Sequence, residues 1–324
     1  MGMKKGIALI LVLVMCLSLG ACGKSKAVIA AEELIAAIGE VTDQSGEAIQ
    51  KAEDAVAALS AEEKETVKTL AQLTEARKKY DEISAIKPVE ELIGNIGTVS
   101  LESGNAITVA RAAYDALASE YKDKVSNYSD LQMAEQAFSD KRVEEVVELI
   151  DEIVLEDIVV SDTVQEAISG IYTKYNALSE EEQRKVTNYE TLNKAKDTYN
   201  EMWVKSLVKI ENVKLSKYNY TGELLLDIIW VNKSPKTIKY IYFVVGITNS
   251  VGDYFTKNGQ KFAAYQQTGP CATNYRKTDN SVWYTGLYPS SSEVGRAVIN
   301  KIVIEYMDGS KATITEENVR FALP

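Results

Sequence analysis

Along the first two thirds of the chain, apolar residues step by three and four, as in Ile107, Ala110, Ala113, Tyr114 and Leu117. That is the period of an amphipathic helix. The pattern also repeats on a longer scale. Leu34, Ile38, Val41, Ile49, Ala52, Leu59, Val67, Leu73, Ala76 and Tyr80 recur 58 residues later as Leu92, Ile96, Val99, Ile107, Ala110, Leu117, Val125, Leu131, Ala134 and Phe138. A third copy follows at a spacing of 57 for Leu149 and Ile153, and of 61 from Val160 to Tyr199. Four extra residues therefore fall between Ile153 and Val160. A period near 60 residues predicts tandem helical units with separate cores, over residues 30–86, 87–143 and 144–204.

Three helices fit each unit. Ser60 with Glu63, and Ser179 with Glu182, have the spacing of a capping box and predict short helices after Leu59 and Leu178. Val125-Ser126-Asn127-Tyr128 and Val186-Thr187-Asn188-Tyr189 are matched segments in which Asn is expected to stop one helix and Tyr to fill the gap before the next. Ser129 to Ile153 contains neither Gly nor Pro, so one helix is expected to carry the second unit into the third. Pro88 is expected to kink the joint between the first and second.

After Trp203 the period falls to two. Leu207–Leu215, Glu223–Val231, Ile238–Thr248, Gln260–Gln266, Ser281–Tyr288 and Val298–Tyr306 are rich in Val, Ile, Tyr and Trp. Asp308-Gly309 predicts a hairpin into Ala312–Ile314, and Asn258-Gly259 and Asn232-Lys233-Ser234-Pro235 predict turns. About seven strands in residues 205–324 point to an immunoglobulin-like β-sandwich. The expected fold class is thus multidomain, α plus all-β: tandem three-helix bundles forming an elongated arm, then a β-sandwich.

The stretches Ala113 to Leu117 and Lys124 to Leu131 resemble the small three-helix modules strung along the surface proteins of Gram-positive bacteria. The resemblance covers residues 30–204 and implies spacer or adhesion segments. The first unit departs from it, with Leu70 where the tyrosine would stand. Gly222 to Asn232 and Lys236 to Phe243 are similar to C-terminal β-domains of Gram-positive lipoproteins that carry no assigned activity.

The N-terminus adds location. Lys4 and Lys5, a run of 13 mostly apolar residues from Ile7 to Leu19, and Leu19-Gly20-Ala21-Cys22 stand in the order of a signal peptide over residues 1–21. The run is shorter than the ~20 residues a membrane-spanning helix needs. Leu19 to Cys22 resembles a lipobox, which implies that Cys22 becomes the lipidated first residue of the mature chain, with 22–29 as a short tether to the membrane. The alternative is an ordinary secretory signal cut after Ala21.

Charge is uneven within the net −11 of the 324 residues. Residues 205–324 hold 15 basic and 10 acidic side chains, a net +5, whereas residues 22–204 hold 19 and 37, a net −18. An acidic arm is repelled by anionic lipid and wall polymer, although water-exposed helices are commonly charged for solvation alone. With no histidine, and Cys271 the single cysteine beyond Cys22, the usual nucleophile and base pairs are missing. Cys271 reads as a small buried hydrophobe. No enzyme, cofactor or metal site is expected. Nucleic acid is disfavoured by the acidic, exported character of the chain.

Candidate binding residues lie in loops of the β-region. Trp283, Tyr284 and Tyr288, with Tyr275, Arg276 and Lys277, place aromatics and cations beside turn residues, a combination suited to sugars or peptide chains. Trp283 reads equally as the core tryptophan, and Tyr275-Arg276-Lys277 as a solvated loop. Asp279 and Asn280 offer only two oxygen ligands for calcium. Three roles follow. The first is a membrane-anchored extracellular lipoprotein whose helical spacer presents a head that binds a wall polymer, glycan or surface protein. The second is an assembly subunit of an envelope complex that docks through its helical repeats, and the third a wall hydrolase using carboxylates alone.

Overall fold

The structure is a computed structural model that describes residues 24–278 and 281–324. Cys22, Asp279 and Asn280 lie outside the described residues, as does the signal segment. The chain is α plus antiparallel β, and it divides into two compact units, the first ending at Ser139 and the second running from Asp140 to Pro324.

The first unit holds α1 (Lys26–Ala37), α2 (Gly46–Ala57), α3 (Ala61–Thr66), α4 (Leu70–Gly94), α5 (Gly104–Ala116), α6 (Ser119–Lys122) and the first part of α7 (Tyr128–Asp151). The second holds the rest of α7, then α8 (Asp162–Asn176), α9 (Glu180–Lys185) and α10 (Tyr189–Leu207). Both capping boxes form: Ser60 and Glu63 close the start of α3, and Ser179 and Glu182 that of α9. Pro88 does not begin a helix. It stands inside α4, where its ring forgoes the hydrogen bond to the Ser84 carbonyl while Val89 and Ile93 beyond it stay buried in the next core.

The aligned positions fall in three successive cores. Ile49, Ala52 and Leu73 lie in the first, Ile107, Ala110 and Leu131 in the second, and Ile168, Ile171 and Leu192 in the third. Asn127 and Asn188 do not stop a helix as expected. Their side-chain amides reach back to backbone carbonyls, Asn127 to Glu90 and Asn188 to Val147, each at 2.9 Å. Tyr128 and Tyr189 are packing residues, stacked on Tyr114 and Tyr175 with ring centres 4.2 Å apart in both cases.

The connection that carries the four extra residues has a backbone cause. The first two cores turn at Gly39 and Gly97, both at φ +62°, a conformation side chains resist. The aligned residue of the third is Val154, a β-branched residue held at φ −99°, ψ 108°. The chain therefore leaves α7 extended and returns through a single 3₁₀ turn, Leu155–Asp157, before Ser161 caps α8.

One polar pair keeps its place while its chemistry changes. Arg77 Nε donates to Glu53 Oε1 at 2.7 Å, and Arg111 donates to Glu135 at 2.7 and 2.6 Å with the charges in reversed order. At the same positions of the third core, Lys196 Nζ sits 5.5 Å from the ring centre of Tyr172.

The β-region follows α10 without a linker. One sheet has the order β1 (Val208–Lys217), β2 (Leu224–Asn232), β5 (Trp283–Tyr284); the other has β4 (Phe262–Cys271), β3 (Ile238–Asn249), β6 (Val294–Tyr306), β7 (Lys311–Ile314). Every pairing is antiparallel. Leu226, Ile228 and Trp230 from the first sheet meet Ile241, Phe243, Ile302 and Ile304 from the second in one buried core. Val204 of α10 belongs to that core, so the β-region is rooted in the helix before residue 205. Ile210 N donates to Ala322 O at 2.7 Å, and Arg320, just past the short helix α11 (Glu316–Val319), pairs with Asp197 of α10 at 2.8 Å. The expected strand over Ser281–Tyr288 shrinks to two residues, Trp283–Tyr284; beyond it Gly286, at φ +73°, interrupts the regular ladder, although Thr285 N still donates to Leu224 O at 3.1 Å and Leu287 O accepts from Leu224 N at 2.8 Å.

If the Glu53–Arg77 site accepts either polarity, Glu53→Arg and Arg77→Glu should each lower stability by about 0.5–1 kcal/mol, and the double reversal should restore it. Urea unfolding of the four proteins, followed by circular dichroism at the helical minimum, checks this.

Candidate functional site

The six candidate residues separate into a buried group and an exposed group. Backbone pairing decides the first. Arg276 bridges Val231, and Lys277 N donates to Trp230 O at 3.0 Å, so the segment lies along β2 like a further strand. This draws Lys277 inward until none of it is exposed. Its ammonium donates to Asp227 Oδ1 at 2.8 Å and to the Ser281 carbonyl at 2.6 Å, and it lies 5.0 Å from the ring centre of Trp283. The solvated-loop reading of Tyr275-Arg276-Lys277 is therefore corrected. A lysine at full burial requires such partners, since an uncompensated charge there is very costly.

Its neighbours are also engaged. Arg276 Nε donates to Glu211 Oε2 at 2.6 Å, and that hydrogen bond leads the effects that hold the Glu211 carboxyl below its usual range. Tyr275 packs against Trp230, ring centres 5.6 Å apart. Trp230 is the fully buried tryptophan of the core. Trp283 lies at its margin, half-buried against Phe243 and Tyr265, with Nε1 donating to the Gln266 carbonyl at 2.9 Å across to the second sheet. Cys271 is buried in the same core, 2% exposed.

Tyr284 and Tyr288 remain outside. Leu224 and Leu226 point inward on β2, so Leu225 and its partner Tyr284 occupy the outer face of the three-stranded sheet. Two further tyrosines join them there. Tyr218 follows the end of β1 and Tyr220 lies in the β1–β2 turn, which closes through hydrogen bonds of 2.8 Å from Tyr218 N to Glu223 O and from Gly222 N to Tyr218 O. The Tyr218 ring centre is 5.4 Å from that of Tyr220 and 5.6 Å from that of Tyr284. Tyr220 is 87% exposed, Tyr288 63% and Tyr284 56%.

Glu223, just before β2, holds Tyr288. It accepts the Tyr288 hydroxyl at 3.2 Å and the Gly286 amide, and its charge pushes the Tyr288 phenol up. The result is a platform of three neighbouring rings, Tyr218, Tyr220 and Tyr284, with Tyr288 held by Glu223, whose backbone carbonyl accepts the Tyr218 amide. Tyr218 and Tyr220 escaped the sequence reading; Tyr218-Asn219-Tyr220-Thr221-Gly222, two aromatics at a hairpin tip, was the available signal. Among the described residues no three His, Cys, Asp or Glu side chains converge as metal ligands would. No family model matches the chain, and neither a curated protein nor a solved structure is significantly similar to it.

Lys277→Ala should lower the stability of the β-region by about 3 kcal/mol, because Asp227 loses its partner. Lys277→Met with Asp227→Asn, which keeps the volumes and removes both charges, should recover most of that. Thermal unfolding monitored by tryptophan fluorescence distinguishes the two.

Proposed function

We propose that the protein is a membrane-anchored extracellular lipoprotein in which helical repeats act as a spacer and the β-region is a head that binds a sugar chain of the wall. In this reading the three helical cores are tandem three-helix bundles, and the two sheets sharing one core are an immunoglobulin-like sandwich. The tyrosine platform is the observation that carries the proposal. Exposed rings give sugar C–H faces a flat apolar surface, while their hydroxyls and the Glu223 carboxylate supply hydrogen-bond partners at the edges. An exposed aromatic cluster costs solubility and gives a folded core nothing, which marks it as a contact surface. The net +5 of residues 205–324 suits a wall rich in anionic polymer, and the net −18 of the arm disfavours lying on anionic lipid. Lipidation at Cys22 supplies the anchor.

The lipid-free chain from residue 23 should be retained on purified peptidoglycan, and Tyr220→Ala with Tyr284→Ala should weaken retention by about tenfold with unchanged thermal stability. Unaltered retention of the double variant would refute the platform as the binding surface. Cys22→Ala should move the protein from the membrane fraction to the medium; a variant that stays membrane-bound would refute the lipid anchor.

A further inference from the structure

A second surface, independent of the head, lies in the third helical core. A cavity of about 430 Å³ opens between α7 and α8. Leu149, Ile153, Val164, Ile168 and Ile171 form its apolar floor and walls, and Val154 and Ile158 of the extended connection close one side.

The first core has a counterpart of about 300 Å³ at the aligned place, lined by Leu34, Ala37, Gln44, Glu47, Ala48 and Lys51, where Glu47, the equivalent of Glu166, is paired with Lys51 at 2.6 Å. Three changes separate them. Lys51 aligns with Gly170, which removes a side chain from the wall, Ala37 aligns with Glu152, which adds a carboxylate, and Val154 stands where the first core has Gly39, at the start of the longer connection that brings in Ile158. Beside the cavity Val154, Val159 and Val160 stand 41–54% exposed, although the connection is otherwise a short return to α8.

The charged residues of the lining are mostly acidic. Glu152, Asp157 and Glu166 line the cavity, and none of the three carboxylates has an ion-pair partner among the described residues. Lys174, the one cation of the lining, is taken by Glu145 at 2.6 Å. Apolar walls under unpaired carboxylates match a helix that carries aliphatic side chains between lysines or arginines. The same carboxylates oppose a fatty acid or an anionic lipid headgroup.

We propose that this cavity docks a cationic amphipathic helix of a partner protein. The α-helical arm then has a binding role of its own beside that of the head.

Gly170 makes the test clean. An added Cβ meets no atom within 4 Å, the residue lies inside α8, and leucine there raises helix propensity while filling the cavity and leaving every charge in place. The probe is a fluorescein-labelled helix of leucine and lysine, about 18 residues or five turns long, with a leucine–glutamate helix as its counterpart. Anisotropy is read with the chain from residue 23 to 324. The wild type should bind the lysine helix, Gly170→Leu should weaken it at least tenfold with a thermal midpoint no lower than wild type, and Glu152→Gln with Glu166→Gln should weaken it several-fold and flatten its salt dependence. Equal binding by Gly170→Leu would reduce the effect to the net charge of the arm and overturn the proposal. Absence of binding, equal affinity for the glutamate helix, or displacement of the lysine helix by a free fatty acid would also overturn it.

Discussion

Each helical core depends on a polar contact between segments about 40 residues apart. Glu32 Oε1 accepts the Lys68 amide at 2.8 Å, and Glu90 Oε1 accepts the Ser126 amide at the same distance. In the third core the contact is Asn188 to the Val147 carbonyl, with Asp151 also accepting from Asn188 at 2.8 Å. These hydrogen bonds join a side chain of one segment to a backbone group of another. Such a link fixes the register between the two, and with it the depth at which Leu73, Leu131 and Leu192 enter their cores. The hydrophobic effect provides the energy of each core; the polar contact selects which packing uses it.

Around these contacts the side chains have drifted. Glu53–Arg77, Arg111–Glu135 and Tyr172–Lys196 occupy one place with opposite polarities and then with a ring in place of a carboxylate. Such half-exposed pairs contribute little energy, which is why they can be exchanged. Where Val154 stands in place of a glycine, the backbone detours and an apolar cavity with a mostly acidic set of charges appears. The head is fixed differently: α10 passes into β1 without a linker, and Val204 and Arg320 bind helix and sheets from both sides.

Features that depend on neighbours in the chain were legible in the sequence. The capping boxes at Ser60 and Ser179, the aligned cores, the turn at Asn258-Gly259 and the hairpin at Asp308-Gly309 all rest on spacings of a few residues or on a repeat that supplies its own comparison. Features that depend on distant partners were not. Lys277 reads as a surface residue because Asp227, which makes its burial tolerable, stands 50 residues away. Tyr284 and Tyr288 were legible as candidates, but the platform they share with Tyr218 and Tyr220 arises from pairing of β2 with β5. That Pro88 would lie inside a continuous helix was not legible, because a proline that forgoes one hydrogen bond remains there when its neighbours Ile86 and Val89 are buried.

The proposed function places the ligand contacts on the tyrosine platform. Hydrogen exchange of the chain from residue 23 to 324, with and without soluble peptidoglycan fragments, tests this most directly. Protection confined to residues 218–225 and 283–288 is the predicted result. Protection elsewhere with these two segments unaffected would contradict it.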